Sequence, residues 1–287
     1  MRIFCFGLGY SAQAFVRIVL HNKGHVAGTV RGADKAAHLR DEGIETALFD
    51  GTAPGEGIAD MLKACEGVLV SIAPGEDGDP VLAHHRDDII AANPKCVIYL
   101  STIGVYGNHD GDWVDEETPI SPQSQRSIAR ANAENEWIAF GAMTGIDVMI
   151  FRLAGIYGPG RGPVEKIRDG SSRRIVKPGQ VFNRIHVADI ARAVHAGFAR
   201  PRTAVFNIVD DEPAPPQDVI EYAAHLMGVE MPPEVDFDEA DLSPMARSFY
   251  SENKRVSGKK AQRMLPFGLK YETYREGIRA LVESEKA

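Results

Sequence analysis

The segment that most constrains the fold is a glycine turn close to the start of the sequence. A short apolar run leads directly into Gly7-x-Gly9-x-x-Ala12, and a helical pattern follows at once. In that context Gly7 permits a tight turn, Gly9 leaves room for a phosphate, and Ala12 allows close helix–strand packing. The N-terminus of the following helix attracts negative charge. The segment therefore predicts a dinucleotide-binding site, which also includes Tyr10 and Ser11.

The first half of the chain alternates between apolar runs and helical patterns. Several apolar runs, such as residues 97–100, are continuous, which is typical of strands covered on both faces. This alternation predicts an α/β fold, a Rossmann-type doubly wound parallel sheet with helices on both sides. The predicted strands are residues 2–6, 25–30, 45–49, 66–72, 96–101 and 147–153. The predicted helices are residues 12–22, 33–41, 57–64, 81–91 and 124–142.

The rhythm of the sequence changes near residue 155, where glycine, proline and arginine become frequent and the elements shorten. We therefore predict a dinucleotide-binding domain over residues 1–155 and a smaller substrate lobe over residues 156–287. Some elements of the second part, at about residues 181–210, are expected to return to the first domain. Proline-rich and acidic stretches at residues 213–216 and 231–244 predict loops around short helices, and a final amphipathic helix is predicted over residues 272–284.

Composition excludes several classes of function. The chain has 287 residues, a formal net charge of −8 and 44% hydrophobic residues. This acidity argues against non-specific nucleic-acid binding, and no apolar run reaches the roughly 18 residues of a membrane span. The three cysteines lack metal-ligand spacing and are predicted to be free thiols in a reducing compartment. Together with the lack of a secretory pattern at the N-terminus, these features predict a cytoplasmic protein without a metal.

The end of the second predicted strand bears on the choice of cofactor. No acidic residue lies between Gly24 and Ala33, although an acid there would hold a ribose 2′-hydroxyl and repel a 2′-phosphate. Thr29 occupies the expected place, and Arg31 follows as a cation suited to a phosphate. The pattern favours NADP, with NAD as the second choice. The alternative for Arg31 is a solvated loop cation.

Three further residues lie where predicted strands end, which is the edge at which open parallel sheets bind ligands. Asp50 is predicted to contact the adenine, and the alternative is a turn formed with Gly51. Ala73 is small enough to let a cofactor lie across the sheet edge. Gly155 follows a later strand and completes the predicted cofactor site.

Three motifs in the middle of the chain carry a family resemblance. They are Ser-Thr-Ile-Gly-Val-Tyr-Gly at residues 101–107, the Arg-to-Tyr-Gly-Pro-Gly segment at residues 152–160, and His-Val-Ala-Asp at residues 186–189. In this order they resemble the NAD-dependent epimerase/dehydratase family of extended short-chain dehydrogenases/reductases. The resemblance implies a Rossmann sheet with a C-terminal substrate lobe. It also implies hydride transfer at a hydroxyl-bearing carbon, assisted by a tyrosine, a lysine four residues later and a Ser or Thr.

The sequence departs from that family at the tyrosine and the lysine. Thr102 falls on the Ser/Thr position, but counting back from Glu134 places Arg130 at the lysine and Arg126 at the tyrosine. The sequence thus resembles the atypical branch of the superfamily, which lacks the dyad. Arg130 is suited to replace the lysine as a donor to ribose or phosphate. Arg126 cannot replace the tyrosine, because a guanidinium stays protonated at neutral pH. The alternative is that both arginines lie on a solvated helix face.

Another acid/base group is then required for chemistry. Tyr106, Tyr157 and His186 are the candidates, because an imidazole titrates near neutrality and a tyrosine fits the family chemistry. The alternatives are that the tyrosine at position 106 packs in the core and that the histidine bridges backbone groups. Asp189 is predicted to cap the helix that begins near residue 190.

The segment of residues 160–185 is cationic although the chain as a whole is acidic. Its seven basic residues against two acidic ones favour an anionic small-molecule substrate, with an exposed flexible loop as the alternative. The basic residues are Arg161, Lys166, Arg168, Arg173, Arg174, Lys177 and Arg184.

Two functions therefore remain open, with a purely structural Rossmann fold that binds no cofactor as a third alternative. One is an NAD(P)-dependent oxidoreductase or epimerase-like enzyme that acts on a polar anionic metabolite. The other is a non-catalytic NADP(H)-binding or redox-sensing module. The resemblance also allows a homodimer through the predicted helices at residues 81–91 and 124–142, where the alanine-rich stretch of residues 129–133 permits close helix approach.

Overall fold

The computed structural model describes residues 1–284. The strands are β1 Arg2–Phe6, β2 His25–Val30, β3 Glu45–Leu48, β4 Gly67–Val70, β5 Cys96–Thr102, β6 Trp113–Val114, β7 Asp147–Leu153, β8 Gly155–Tyr157, β9 Arg174–Val176, β10 Arg184–His186, β11 Ala204–Ile208, β12 Glu234–Asp236 and β13 Arg255–Val256. The helices are α1 Tyr10–His21, α2 Ala33–Asp41, α3 Ile58–Leu62, α4 Pro80–Ala92, α5 Gln125–Thr144, α6 Pro163–Arg168, α7 Val187–Ala199, α8 Pro216–Met227, α9 Pro244–Tyr250, α10 Lys259–Met264 and α11 Tyr274–Ser284, and a 3₁₀ helix covers Ile103–Tyr106.

Seven parallel strands form the main sheet, in the order β11-β7-β5-β4-β1-β2-β3. The chain moves outward from β1 in one direction to β3 and then crosses back to β4 on the other side. This reversal opens a crevice at the carboxyl ends of β1 and β4, the usual ligand site of doubly wound sheets. The predicted fold class is confirmed.

Both faces of the sheet are covered, which explains the continuous apolar runs of the strands. In β1 successive side chains point to opposite faces. Ile3 and Cys5 belong to one core together with Phe15 of α1. Phe4 belongs to the other core together with Trp137 of α5. Burial on both faces leaves only Arg2, the first residue of β1, exposed to water, so the other four positions are apolar.

The second part of the chain is built from short elements. Three two-stranded parallel sheets, β8 with β10, β9 with β12 and β6 with β13, lie beside the main sheet. A separate apolar core joins α6, α8 and α11. In contrast, α7 packs against α1, and β11 is the edge strand of the main sheet.

One detail of this part differs from the sequence-based picture. Residues 231–244 were expected to form loops, but they contain β12, whose Val235 pairs with Ile175 of β9. A strand of three residues with one central apolar residue is too short to show a hydrophobic periodicity, so only its pairing with β9 identifies it.

None of the described helices is long and apolar enough to cross a membrane. Within residues 1–284, no group of three or more metal-ligating side chains comes together.

Candidate functional site

The glycine turn is held in place by the strands on either side of it. Gly7 has a φ of +89°, a backbone conformation that favours glycine. Its N–H donates to Oγ1 of Thr29 at 2.9 Å, and its carbonyl accepts from the hydroxyl of Ser71 at 3.0 Å. Thr29 belongs to β2, and Ser71 directly follows β4. The turn is therefore fixed at the point where the sheet reverses direction.

The first turn of α1 offers a place for a pyrophosphate. Gly9 is its N-cap residue, and no side chain caps the helix there. A Cβ at Gly9 would approach only the Ser71 hydroxyl, at 3.9 Å, so the space in front of the turn is open. Free N–H groups and an open approach are what a dinucleotide phosphate requires. Ala12 is fully buried, as its predicted packing role demands.

The residues predicted to contact the ribose and the adenine of the cofactor lie outside the glycine turn. Thr29 is fully buried and its hydroxyl is used by Gly7, so it supports the turn from behind. Arg31 is exposed and makes no hydrogen bond, ion pair or ring contact within residues 1–284. Asp50 forms the turn that was its alternative. Its Oδ1 accepts from the N–H and hydroxyl of Thr52 at 2.9 and 2.7 Å, and these bonds lower the pKa of the carboxyl.

A cavity of about 1470 Å³ extends from the glycine turn to the C-terminal lobe. It crosses the carboxyl ends of β5 and β7 and brings together most of the predicted site. The predicted residues on its wall are Gly9, Tyr10, Ser11, Ala73, Thr102, Arg126, Arg130, Gly155 and Tyr157. Tyr106, His186 and Asp50 are not on the wall, nor is Arg31.

The end of β5 and the start of α5 meet on the cavity wall. Thr102 accepts a hydrogen bond from the N–H of Gly104 at 3.1 Å and thereby caps the 3₁₀ helix. A Cβ at Gly104 would lie 3.0 Å from Oγ of Ser127 and 3.4 Å from Oγ1 of Thr102, so the two hydroxyls flank this glycine. Ser124 caps α5 by accepting from the N–H of Ser127 at 3.1 Å.

The two arginines at the dyad positions have different surroundings. Arg130 donates to the carbonyl oxygen of Leu100 and lies over the ring of Tyr99, 5.6 Å from its centroid. Arg126 is exposed on the cavity wall and has no partner in the described part of the chain. The first is thus a positioned cation, and the second is a free one.

A buried ion pair fixes α5 against the sheet. Glu134 accepts from Nη2 of Arg152 at 2.7 Å and from the Ser101 hydroxyl at 2.5 Å. Both charged side chains are nearly inaccessible to water. Because Arg152 belongs to β7 and Ser101 to β5, this cluster sets the position of the helix that carries both wall arginines.

The structure corrects the acid/base role considered for Tyr106. The side chain is fully buried, and its hydroxyl donates to Oδ1 of Asn207 at 2.8 Å. Burial raises the pKa of this phenol, and the guanidinium of Arg152 lies 4.9 Å from its ring centroid. Tyr106 packs in the core and has no access to a substrate.

The structure also corrects the roles considered for His186 and Asp189. His186 is only 4% exposed, and its Nδ1 accepts from the N–H of Ala188 at 3.1 Å, so the imidazole caps α7. Burial lowers its pKa to about 4 and keeps it neutral near pH 7. Asp189 does not cap its own helix. It accepts from the N–H groups of Lys270 and Tyr271 at 2.6 and 3.1 Å and anchors the segment before α11.

Tyr157 reaches the cavity wall, but its hydroxyl does not act as a free base. The hydroxyl oxygen is buried and has no hydrogen-bond partner among the described residues. Burial raises the pKa of the phenol above its ordinary value. A Cβ at Gly277 of α11 would overlap this hydroxyl, which shows how closely the helix covers it.

The cationic segment forms part of the cavity wall. Arg173 donates to the carbonyls of Gly170 and Ser172 at 2.9 and 2.7 Å. Arg184 donates to two further carbonyls, those of Phe182 and Ala214, at 3.0 and 3.2 Å. The cationic residues of this segment on the wall are Arg161, Lys166, Arg173 and Arg184. Arg161, Lys166 and Arg173 are exposed on this wall, as the alternative of an exposed loop expects, whereas Arg184 is half-buried.

One wall cation was missed by the sequence analysis. No motif in the sequence assigned a function to Lys254, yet its buried side chain lines the cavity. It donates to the carbonyl of Gly107 at 2.6 Å and to Glu252 at 2.5 Å. Burial lowers its pKa, and the Glu252 carboxylate opposes that shift. No local pattern marks this lysine, because the carbonyl that it meets is 147 residues away in sequence.

Comparison with known proteins agrees with this geometry. Residues 79–208 match the model of the NAD dependent epimerase/dehydratase family. The structure of a functionally unknown conserved protein from Silicibacter pomeroyi DSS has 47% sequence identity and a TM-score of 0.90, over 100% of this chain and 99% of that chain. The chain belongs to the NAD-dependent epimerase/dehydratase family.

Two further relatives have lower sequence identity. Protein YeeZ of Escherichia coli strain K12 is 30% identical over 149 residues, which is 51% of each chain. A dTDP-glucose 4,6-dehydratase from Bacillus anthracis str. Ames, solved in complex with NAD, shares the fold at 18% identity with a TM-score of 0.81, over 100% of this chain and 96% of that chain. The matches span between 31% and 56% of the length of the curated relatives.

Proposed function

We propose that this family member is an NAD(P)-dependent oxidoreductase, similar to the epimerases, that acts on a polar anionic metabolite and prefers NADP. One observation carries the proposal: a single cavity joins the glycine turn to a row of arginines and lysines. Asp241 and Glu252 are the acidic side chains on its wall among residues 1–284, and Glu252 is paired with Lys254. An excess of positive charge in a partly enclosed cleft attracts anions.

The residues of the turn fit a nicotinamide dinucleotide, which supplies a hydride donor or acceptor when it is bound. The N–H groups after Gly9 hold the pyrophosphate, and Arg31 meets a 2′-phosphate beyond the end of β2. Arg130 donates to the ribose from its fixed position beside Leu100. Thr102 offers its hydroxyl to the substrate oxygen. Nucleotide sugars fall within the proposed substrate class, since the Bacillus anthracis relative is a dTDP-glucose dehydratase.

A second candidate function is a nucleotide-sensing module without turnover. It is favoured by the environments of the three acid/base candidates, because Tyr106 and His186 are structural and the Tyr157 hydroxyl is buried. Without a group that exchanges a proton near Thr102, the protein still binds its nucleotide. Both functions therefore use the same cofactor site, but only the enzyme exchanges hydride with a substrate.

The deciding experiment measures binding and turnover on the same protein. We expect NADPH to bind, and the complex to exchange hydride with anionic carbonyl compounds. Thr102→Val is expected to slow that exchange at least tenfold and to leave NADPH binding unchanged. Thr144→Val, at the distant end of α5, is the matched control. NADPH binding without exchange over a broad carbonyl and nucleotide-sugar panel selects the sensing module. Lack of binding by both NADPH and NADH contradicts both functions.

We also propose that the protein is cytoplasmic and forms a homodimer through α4 and α5. Its three cysteines are free thiols. Ile138 and Met143 of α5 are exposed apolar residues suited to such a contact. Ala131 and Ala133 are buried within the chain itself, so they do not provide the close helix approach expected from the sequence.

A further inference from the structure

We propose that Arg126 binds a substrate carboxylate beside the reacting carbon, so that the substrate is a hydroxy acid or an oxo acid. This inference rests on the proposed function and narrows its substrate class. It assigns a binding role to the residue that stands where the related enzymes are expected to place a tyrosine.

The first observation is that Arg126 has no internal partner. It is exposed on the cavity wall and makes no hydrogen bond, ion pair or ring contact within residues 1–284. Three arginines that do not line the cavity show the opposite arrangement. Arg152 pairs with Glu134, Arg174 with Glu234 and Arg275 with Glu212, at 2.7, 3.1 and 3.1 Å. The guanidinium of Arg126 thus keeps all five of its donors available for a ligand.

The second observation is the position of this guanidinium in the site. Arg126 lies in the first turn of α5, next to Ser127, whose hydroxyl shares the space around Gly104 with the hydroxyl of Thr102. All four residues line the same stretch of wall. A substrate whose oxygen is held by Thr102 therefore presents its neighbouring group to Arg126.

The third observation is the balance of charge around that position. Arg126 and Arg130 both lie on the α5 side of the cavity. The two acidic wall residues of the described chain, Asp241 and Glu252, come from the C-terminal lobe instead. The positive end of the α5 dipole adds to the uncompensated charge. A planar carboxylate satisfies this arrangement, because a guanidinium fork binds it through two parallel hydrogen bonds.

The test measures ternary binding through the fluorescence of bound NADPH. The probes are pyruvate, 2-oxobutyrate and 2-oxoglutarate, with their 2-oxo amides as uncharged counterparts and dihydroxyacetone phosphate as the phosphate arm. We expect at least one oxo acid to bind at least about tenfold more tightly than its amide, which corresponds to about 1.4 kcal/mol. Arg126→Gln should abolish that difference, and Arg126→Lys should retain part of it.

The controls separate this inference from the proposed function. Arg263→Gln removes an exposed arginine of α10, away from the cavity, and should leave the oxo acid affinity unchanged. NADPH affinity should stay within about twofold in every variant. Failure of both NADPH and NADH to bind overturns the proposed function, and if NADH alone binds, the same titrations follow its fluorescence. The inference alone is overturned if NADPH binds but no oxo acid does, if amides bind equally well, if Arg126→Gln keeps the difference, or if only the phosphate binds.

Discussion

Arg31 directly follows β2 as an exposed cation without a partner within residues 1–284, and the proposed preference for NADP rests on it. We predict that Arg31→Gln weakens NADPH binding roughly tenfold to hundredfold, because a charge-assisted hydrogen bond to phosphate contributes about 1.5–3 kcal/mol. NADH binding should change little, since NADH lacks the 2′-phosphate. Parallel fluorescence titrations with both cofactors measure the two effects. Equal weakening of both cofactors would show that Arg31 does not read the 2′-phosphate.

His186 couples the stability of α7 to pH. Its pKa is about 4 in the folded protein, lowered first by burial and then by Lys270, against an ordinary value of 6.5. Between pH 6.5 and pH 4 the imidazole of His186 is protonated in the unfolded chain and neutral in the folded protein. The contribution of His186 is therefore complete above about pH 6.5 and is lost as the pH falls towards 4.

We predict that His186→Asn removes this pH dependence, because asparagine keeps an acceptor for the N-cap and cannot titrate. Relative to the variant, the wild-type protein should lose about 3 kcal/mol of unfolding free energy between pH 7 and pH 4. Urea unfolding at both pH values measures the difference. The exposed His21→Asn serves as control. The prediction is wrong if wild type and the His186 variant lose stability in parallel.

At the scale of elements, the buried pair between Glu134 and Arg152 holds α5 against β7. We predict that Glu134→Gln lowers the unfolding free energy by about 3–5 kcal/mol, because it leaves a buried guanidinium without its counter-charge. Glu136→Gln, on the same helix and without an ion pair in the described chain, should cost less than about 0.5 kcal/mol. Denaturant unfolding of both variants checks this.

The same pair has a consequence for the site, because α5 carries Arg126 and Arg130 at its N-terminal end. In Glu134→Gln, amide hydrogen exchange in α5 is expected to accelerate more than in α1. Uniform acceleration throughout the protein would indicate that the pair stabilises the fold as a whole without positioning this helix.

At the scale of the whole molecule, the cavity joins the sheet to the C-terminal lobe. The hydroxyl of Tyr10 in α1 donates to the carbonyl of Pro159 at 2.9 Å, and Arg161 lies 5.6 Å from the centroid of the same ring. NADPH bound at the glycine turn therefore touches an element that already contacts the lobe. Binding is expected to stabilise both parts together.

We predict that NADPH at about 100 times its dissociation constant adds about 2.7 kcal/mol to the unfolding free energy. For a chain of 287 residues, whose unfolding entropy is about 0.6 kcal/mol per kelvin, this raises the melting temperature by roughly 4–5 °C. Calorimetry should show one transition that shifts as a unit. Two transitions, with only one of them moved by NADPH, would show that the lobe folds independently of the cofactor site.

The amino-acid sequence alone predicts much of this architecture. The strands predicted at residues 2–6, 25–30 and 147–153 have those bounds in the structure, because a strand buried on both faces requires a continuous apolar run. The glycine turn is equally local, since Gly7 needs its positive φ whatever surrounds it. The predicted position of Arg126, where the family resemblance implies a tyrosine, likewise follows from counting along one helix.

The sequence by itself determined the fold class, the glycine turn and the cations near the site, because these follow from short-range spacing and from residue chemistry. Only the tertiary structure decided which polar groups are free. Tyr106 and His186 have the right chemistry for proton transfer, but Asn207 and Ala188 already use their polar atoms, and burial shifts both pKa values. Lys254 is held at the cavity wall by a hydrogen bond to the carbonyl of Gly107, which is 147 residues away in sequence. Solvent access and hydrogen-bond partners are properties of packing, so local patterns do not encode them.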